Sequence, residues 1–189
     1  MKRLAIFASG AGSNFQAIAD AVQSGKLQAD LALLVCDQPE AIVINKAENL
    51  GVPIFAVRPK AYENKAAYEE AVLVELQNYG VDFIALAGYM RLIGSTLLRA
   101  YAGRVINVHP SLLPAFPGLH AIEQAIEAGV KVTGVTIHYV DDGMDTGSII
   151  AQKSVTVLPG DTAQDVAERI HSIEHELYPS VLMRLLKEE

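Results

Sequence analysis

The chain has 189 residues, of which 51% are hydrophobic and 20% charged, a composition that suits one globular domain and excludes a disordered chain. Lys and Arg number 15 against 22 Asp and Glu, a net charge of −7 with no basic run, so nucleic acid is not expected as a partner, although a small phosphorylated ligand needs only a local anion site. No stretch approaches the ~20 apolar residues of a membrane span, the apolar start stops at Ser9-Gly10 before a signal-peptide core is built, and one cysteine, Cys36, permits neither an intramolecular disulfide nor a cysteine metal cluster, so a cytoplasmic protein without a membrane partner is expected.

Residues 4–8 read as a buried strand and Ser9-Gly10-Ala11-Gly12 as a tight turn. Ser13 or Asn14 then opens a helix to about Ser24, with Phe15, Ile18, Ala19 and Val22 on one face. Residues 29–35 form a second buried strand, 39–50 a helix closed by Gly51, and 54–57 a short strand. A long helix covers 63–79, with Gly80 past its end. Residues 83–87 are a further strand, 94–101 a short helix, and 104–108 another strand. This alternation of helices with near-continuous apolar strands predicts an α/β, Rossmann-like fold, a mostly parallel sheet with helices on both faces.

The later part of the chain differs. Residues 119–128 are helical, and Val132, Val135, Ile137 and Tyr139 mark an extended segment. A second extended segment spans 149–157, and the loop 140–148 joins the two, which predicts an antiparallel C-terminal strand pair. Asp161-Thr162 starts the last helix, whose apolar positions Val166, Ile170, Ile173, Leu177 and Val181 step by 4, 3, 4 and 4 and so bury one face. No linker, repeat or low-complexity stretch appears, and residues 1–189 read as a single domain.

Asn107 and His109 stand two apart at the end of a strand, where i and i+2 point to the same side. Pro110 and Pro114 deny the next turn an ordinary helix or ladder. An amide and an imidazole placed this way can address one reacting atom; a polar strand end with a capped turn is the plain alternative. Ser9-Gly10-Ala11-Gly12-Ser13-Asn14 lies between a strand and a helix, where glycines, free N–H groups and the helix dipole suit a phosphate. A dinucleotide fingerprint would need a third glycine where Phe15 stands, and Asp37 lies beyond the usual ~20-residue spacing of the ribose acid. A bare tight turn is the third reading.

Asp141-Asp142-Gly143-Met144-Asp145-Thr146-Gly147 reads as a solvated hairpin loop, and as a calcium loop it lacks the D-x-D-x-D-G series and the terminal Glu. A carboxylate from this loop that reached His109 would stabilise the imidazolium. His171-Ser172-Ile173-Glu174-His175 has the H-x-x-E-H form of a zinc peptidase helix, with both histidines on one face. Only 14 residues follow to supply a third ligand, which favours a half-exposed helix face. His120 and His138 read as structural. No G-x-S-x-G elbow appears and Cys36 has no paired histidine motif, so the expected chemistry is direct attack by a bound substrate, helped by acid–base and oxyanion groups.

Several segments together resemble the phosphoribosylglycinamide formyltransferases, the folate-dependent formyltransferases of purine synthesis, over nearly the whole length. They are the Ser9 to Asn14 stretch, Leu86-Ala87-Gly88-Tyr89-Met90-Arg91, Asn107-Val108-His109-Pro110-Ser111-Leu112-Leu113-Pro114 with Pro117-Gly118, the Asp141 to Gly147 loop, and Glu174-His175. The Asn-x-His-Pro motif is shared by several formyltetrahydrofolate enzymes, and the first segment narrows the choice. The resemblance implies transfer of formyl from 10-formyltetrahydrofolate, a cosubstrate, to the amine of glycinamide ribonucleotide, with no metal and no covalent enzyme intermediate. By that similarity Asn107 holds the oxyanion, His109 is the general acid and Asp145 sustains its protonated form. Gly12, Ser13 and Asn14 would hold the substrate phosphate, and Glu174 the ribose. Met90, Arg91, Leu92 and Ile93, with Val140, Asp141 and Asp145, would line the pterin pocket alongside Asn107. Lys65 stands where relatives place a basic residue near the folate tail, and a solvated helix charge is the plain reading of it.

Relatives vary at His171, which is left outside the binding set, and Ser148 replaces a proline common after this loop. A monomer or homodimer is expected. A methionyl-tRNA formyltransferase would add a C-terminal nucleic-acid-binding domain. A formyltetrahydrofolate deformylase would carry an N-terminal regulatory domain and a histidine in place of Pro110. A non-catalytic phosphate- or nucleotide-binding module would leave Asn107, His109 and Asp145 without a shared purpose.

Overall fold

In the computed structural model, which describes residues 1–187, the strands are Lys2–Ala8 (β1), Ala29–Cys36 (β2), Ile54–Ala56 (β3), Phe83–Leu86 (β4), Val105–His109 (β5), Val132–Tyr139 (β6) and Ile149–Thr156 (β7). The helices are Ser13–Gln23 (α1), Ile42–Asn49 (α2), Lys65–Asn78 (α3), Ser95–Ala100 (α4), Ala121–Glu127 (α5) and Ala163–Leu185 (α6), with one 3-10 turn at Pro59–Ala61. The expected domain span ends at Glu189; Glu188 and Glu189 lie outside the described residues.

The strands form one seven-stranded sheet in the order β3-β2-β1-β4-β5-β6-β7. β1 to β5 pair parallel, and β5-β6 and β6-β7 pair antiparallel, so the mostly parallel α/β reading and the antiparallel C-terminal pair both hold. Alternation along β1 explains the layers. Leu4, Ile6 and Ala8 enter the core shared with α1, α2 and α6, while Ala5 and Phe7 enter the opposite core with α3 and α4. Phe7 and Phe15 are both fully buried, and burial of a side chain that size contributes roughly 1.5–3 kcal/mol. Among the described residues no helix is long and apolar enough to cross a membrane.

Element boundaries shift where long-range partners or caps intervene. The predicted helix from 39 starts instead at Ile42, because the Ala41 N–H closes a turn on Gln38 O and Ala41 itself is extended. α3 starts at Lys65 because the Asn64 side chain accepts the Ala67 N–H at 2.9 Å. α5 starts at Ala121 because His120 has a positive φ of 56°. β5 runs one residue further than expected, since β6 pairs Thr136 against His109. α6 begins as expected, on a reciprocal cap between Thr162 and Asp165.

α6 is anchored to the sheet by Tyr178, which is fully buried. Its hydroxyl donates to Leu86 O, at the end of β4, at 2.8 Å and sits 3.2 Å from Ile106 O of β5. Tyr178→Phe keeps the ring and deletes the donor. It is expected to lower the unfolding free energy by about 1–2 kcal/mol in a urea titration, with an unchanged m-value.

Candidate active site

Strand order reverses between β1 and β4, and open α/β sheets bind ligands in the crevice beyond the carboxyl ends of their strands at such a reversal. The loop after β1 holds Ser9 to Gly12, and the turn after β4 holds Gly88 to Leu92. β5, next along, ends on His109.

The antiparallel register sets Asn107 opposite His138 and His109 opposite Thr136. Directly opposed residues share a face, so His138 joins Asn107 and His109. Asp145 comes from the loop between β6 and β7, at a positive φ of 55° that Asp tolerates better than most residues. Its Oδ2 lies 3.4 Å from His109 Nδ1 and accepts the Gly118 N–H at 2.8 Å. Its Oδ1 lies 3.6 Å from His138 Nε2. Burial pushes the Asp145 carboxyl up, but the His138 contact, the Gly118 amide and the two imidazoles outweigh it and hold the group below the usual carboxylate range. A carboxylate thus stands between two imidazoles.

His109 is held from both sides. Its Nε2 faces Phe116 O at 2.8 Å and its Nδ1 faces Asp145, so both acceptors are satisfied when the ring carries both protons. Nδ1 is the nitrogen left toward the carboxylate. The Phe116 carbonyl is itself fixed by a buried network. Thr136 Oγ1 donates to Ser111 O at 2.7 Å and accepts the Leu113 N–H at 3.0 Å, while the Ser111 hydroxyl donates to Ala115 O at 2.6 Å. His138 Nδ1 faces Tyr139 O at 2.8 Å, and Asn107 Nδ2 stands 3.4 Å from His138 Nε2, a long contact that leaves the amide free to serve another acceptor.

The loop after β1 has the build of an anion site. Gly12 has φ 73°, and a Cβ there would meet Val43 Cγ2 at 2.5 Å, so only glycine fits. α1 has neither a side-chain cap nor an acidic residue in its first turn, which leaves its first N–H groups and positive dipole end uncompensated. Lys46 of α2 donates to Gly12 O at 3.4 Å. Asn14 Nδ2 donates to Glu174 Oε2 at 2.9 Å across 160 residues of chain, which brings two predicted binding residues together. Burial pushes the Glu174 carboxyl up, against the opposing pull of Asn14 and His171. His171 and His175 stack with ring centroids 6.5 Å apart, and burial, His171 and Lys46 together push His175 below its ordinary value. A groove of about 950 Å³ passes Ser13, Lys46 and His175 and continues to Met183.

The proposed pterin-lining residues fall into two groups. Met90 and Leu92 expose their side chains, whereas Ile93 is buried in the core. Arg91 Nη1 lies 3.9 Å from Asp37 Oδ2, so its guanidinium faces the end of β2. Val140 packs on the core and donates its N–H to Val105 O at 3.0 Å. Asp141 binds its own loop, accepting the Thr146 hydroxyl at 2.6 Å and the Gly143 N–H at 3.0 Å. Lys65 Nζ is 3.9 Å from Glu69 Oε1 and lines a second groove of about 500 Å³ with Leu92, Ile93 and Asp142. Neither groove is lined by Asn107 or His109. Among the described residues no three His, Cys, Asp or Glu stand together to hold a metal ion, and in the H-x-x-E-H helix Glu174 is turned to Asn14.

Sequence reasoning missed His138, Lys46 and the Phe116 carbonyl. For His138 the signal was alternation, since Thr136 and His138 interleave with Val135 and Ile137; the register against β5 was not readable. Nothing local pointed to Lys46.

The formyl transferase family model matches residues 2–182. The phosphoribosylglycinamide formyltransferase of Bacillus subtilis is 58% identical over 186 residues, which is 98% of this chain and 95% of that protein. The crystal structure of a glycinamide ribonucleotide transformylase from Geobacillus kaustophilus superposes with a TM-score of 0.96 at 61% identity, covering 98% of this chain and 99% of the other. That of a phosphoribosylglycinamide formyltransferase from Bacillus halodurans gives 0.96 at 55%, over 99% and 96%. The chain belongs to the formyl transferase family.

Proposed function

We propose that this formyl transferase carries the formyl group of 10-formyltetrahydrofolate to the amine of glycinamide ribonucleotide, as a single domain in the cytoplasm. The observation that carries the reading is that two polar sites lie beyond the carboxyl ends of strands of one sheet, one after β1 and one at the end of β5. The Asn107–His109–Asp145 cluster suits a tetrahedral oxyanion, and the Gly12 to Asn14 loop suits a phosphate. The names of the similar proteins, which match over nearly the full length at 55–61% identity, support glycinamide ribonucleotide as the formyl acceptor.

In this mechanism the amine attacks the formyl carbon directly, and the carbonyl oxygen becomes an oxyanion. Asn107 Nδ2 donates to that oxygen. His109 is the general acid that protonates the leaving N10 nitrogen as the C–N bond breaks, and the proton shed by the attacking amine returns to the imidazole. Asp145 stays ionised and stabilises the protonated ring. The first N–H groups of α1, with Ser13 and Asn14, take the ribonucleotide phosphate, and Glu174 accepts from the ribose. Met90 and Leu92 offer apolar surface to the pterin, and Lys65 lies beside the second groove for the acidic tail.

A formyl-transfer assay that follows tetrahydrofolate release is expected to show strict dependence on the ribonucleotide, with activity lost in His109→Ala. Formate release without ribonucleotide would point to hydrolysis instead. Asn107→Ala removes one oxyanion donor and is expected to lower kcat by about 10²–10³-fold, with KM for both substrates little changed in steady-state kinetics.

Asp145→Asn is expected to lower kcat by about 10²-fold or more. Stability follows the sign of its shift. A carboxyl held below its unfolded value of ~3.9 contributes stability above that pH and loses it as pH falls through the lower folded value. The variant should therefore melt below the wild type above about pH 5, and the gap should narrow in acid melts.

A further inference from the structure

We propose that Ser9 is a positioning residue that clamps the phosphate loop to the pterin-lining turn, so that each substrate's binding is coupled to the other's. The proposal rests on the substrate assignment above.

The strand reversal creates the need for such a clamp. β1 and β4 are paired neighbours, from Leu4 against Phe83 to Phe7 against Leu86. Beyond them the chain leaves β1 for the anion loop and leaves β4 for the Gly88 to Leu92 turn, and no further strand pairing ties the two. The structure nevertheless extends the ladder in steps. The Ala87 N–H donates to Phe7 O at 2.8 Å, and the Ser9 N–H donates to Gly88 O at 3.1 Å. Gly88 then turns the chain with φ 77°, and at Met90 the acceptor changes from backbone to side chain: the Met90 N–H donates to Ser9 Oγ at 2.9 Å. Ser9 thus holds the turn on both sides of Tyr89, once by its amide and once by its hydroxyl.

The same loop is held at its other side. Gly10 O accepts the Val43 N–H at 3.1 Å, and Gly12 O accepts Lys46 Nζ at 3.4 Å. The path from the free N–H groups of α1 to the Met90 backbone therefore runs through four residues, Ser9 to Gly12, fixed to α2 on one side and to the β4 turn on the other. Met90 and Leu92 carry exposed apolar side chains, while Tyr89 is anchored apart from Ser9, edge-on to Phe7 at 5.3 Å and 3.0 Å from the Tyr68 hydroxyl, so the Ser9 hydroxyl acts on the Met90 side of the turn. A ligand that orders either segment shortens the conformational freedom the other must lose, which is positive coupling through one hydroxyl.

The experiment compares wild type, Ser9→Ala and Ser9→Thr. Tetrahydrofolate affinity is measured calorimetrically with and without glycinamide ribonucleotide, alongside steady-state kinetics and hydrogen exchange at the Met90 amide. Loss of one hydrogen bond is typically worth about a five- to tenfold factor. Ser9→Ala is expected to cut the coupling factor by that amount, to raise KM for the formyl donor more than KM for the ribonucleotide, and to speed exchange at Met90. Ser9→Thr, which keeps the hydroxyl, is expected to restore all three.

Wild-type coupling, donor KM and Met90 protection retained in Ser9→Ala would overturn the proposal. So would equal losses in both variants that follow their melting temperatures, which mark a purely structural role. Turnover by a wild type whose ligands bind without coupling overturns the clamp and leaves the substrate assignment standing. A wild type that neither binds tetrahydrofolate nor transfers formyl overturns the assignment and the coupling with it, even where Met90 exchange still depends on the Ser9 hydroxyl.

Discussion

Asn107 sits opposite His138, and His109 opposite Thr136, because β6 runs antiparallel to β5 in a single register. Side chains alternate across a strand, so a slip of one residue would send His138 and Thr136 to the other face together. The imidazole beside Asn107 would be lost, and with it one of the two rings that share Asp145. Thr136 would also release Ser111 and Leu113, and the loop that places the Phe116 carbonyl on His109 Nε2 would be free to drift. Val135 and Ile137, both fully buried in the core shared with α6, make that slip costly. The core packing of β6 is thus what aims the polar residues between its apolar ones.

In a chain with a net charge of −7, the groups that suit an anion are gathered locally. Lys46 and the stacked pair His171 and His175 gather near the N-terminus of α1, where no side chain caps the helix. Glu174, on the same helix as the two histidines, is buried and bonded to Asn14, and burial pushes its carboxyl upward. Total charge therefore says little about such a site. The field within one turn of the helix decides it.

What the sequence made legible was what is local. The strand–helix alternation located β1 to β5 and their cover, because buried parallel strands read as apolar runs. Asn107 and His109 were readable as a pair because two residues along one strand suffice to place them. Asp145 entered only through resemblance, since 36 residues separate it from His109 and the contact needs the loop after β6. His138 read as structural on its own, and only the cross-strand register gives it a partner. The start of α2 failed for a smaller reason: Pro39 favours a helical first turn, but the Gln38 to Ala41 turn comes between it and the helix.

The loop after β1 has the outline of a dinucleotide fingerprint, and packing argues against that use. The third glycine of that pattern allows helix and sheet to approach closely. Here the position holds Phe15, fully buried in the core between α1 and the sheet, so the ring occupies the contact that a glycine would close. The ribose of a dinucleotide needs an accessible carboxylate after β2. Asp37 stands there but is 1% exposed, with Oδ2 3.9 Å from Arg91. Without the third glycine and without a reachable acid, the features that select an adenosine half are missing. What remains is a build that suits a phosphate: Gly12 folded against Val43, an uncapped helix end, and Asn14 turned to α6. α6 also reaches that loop, through the hydrogen bond from Asn14 to Glu174.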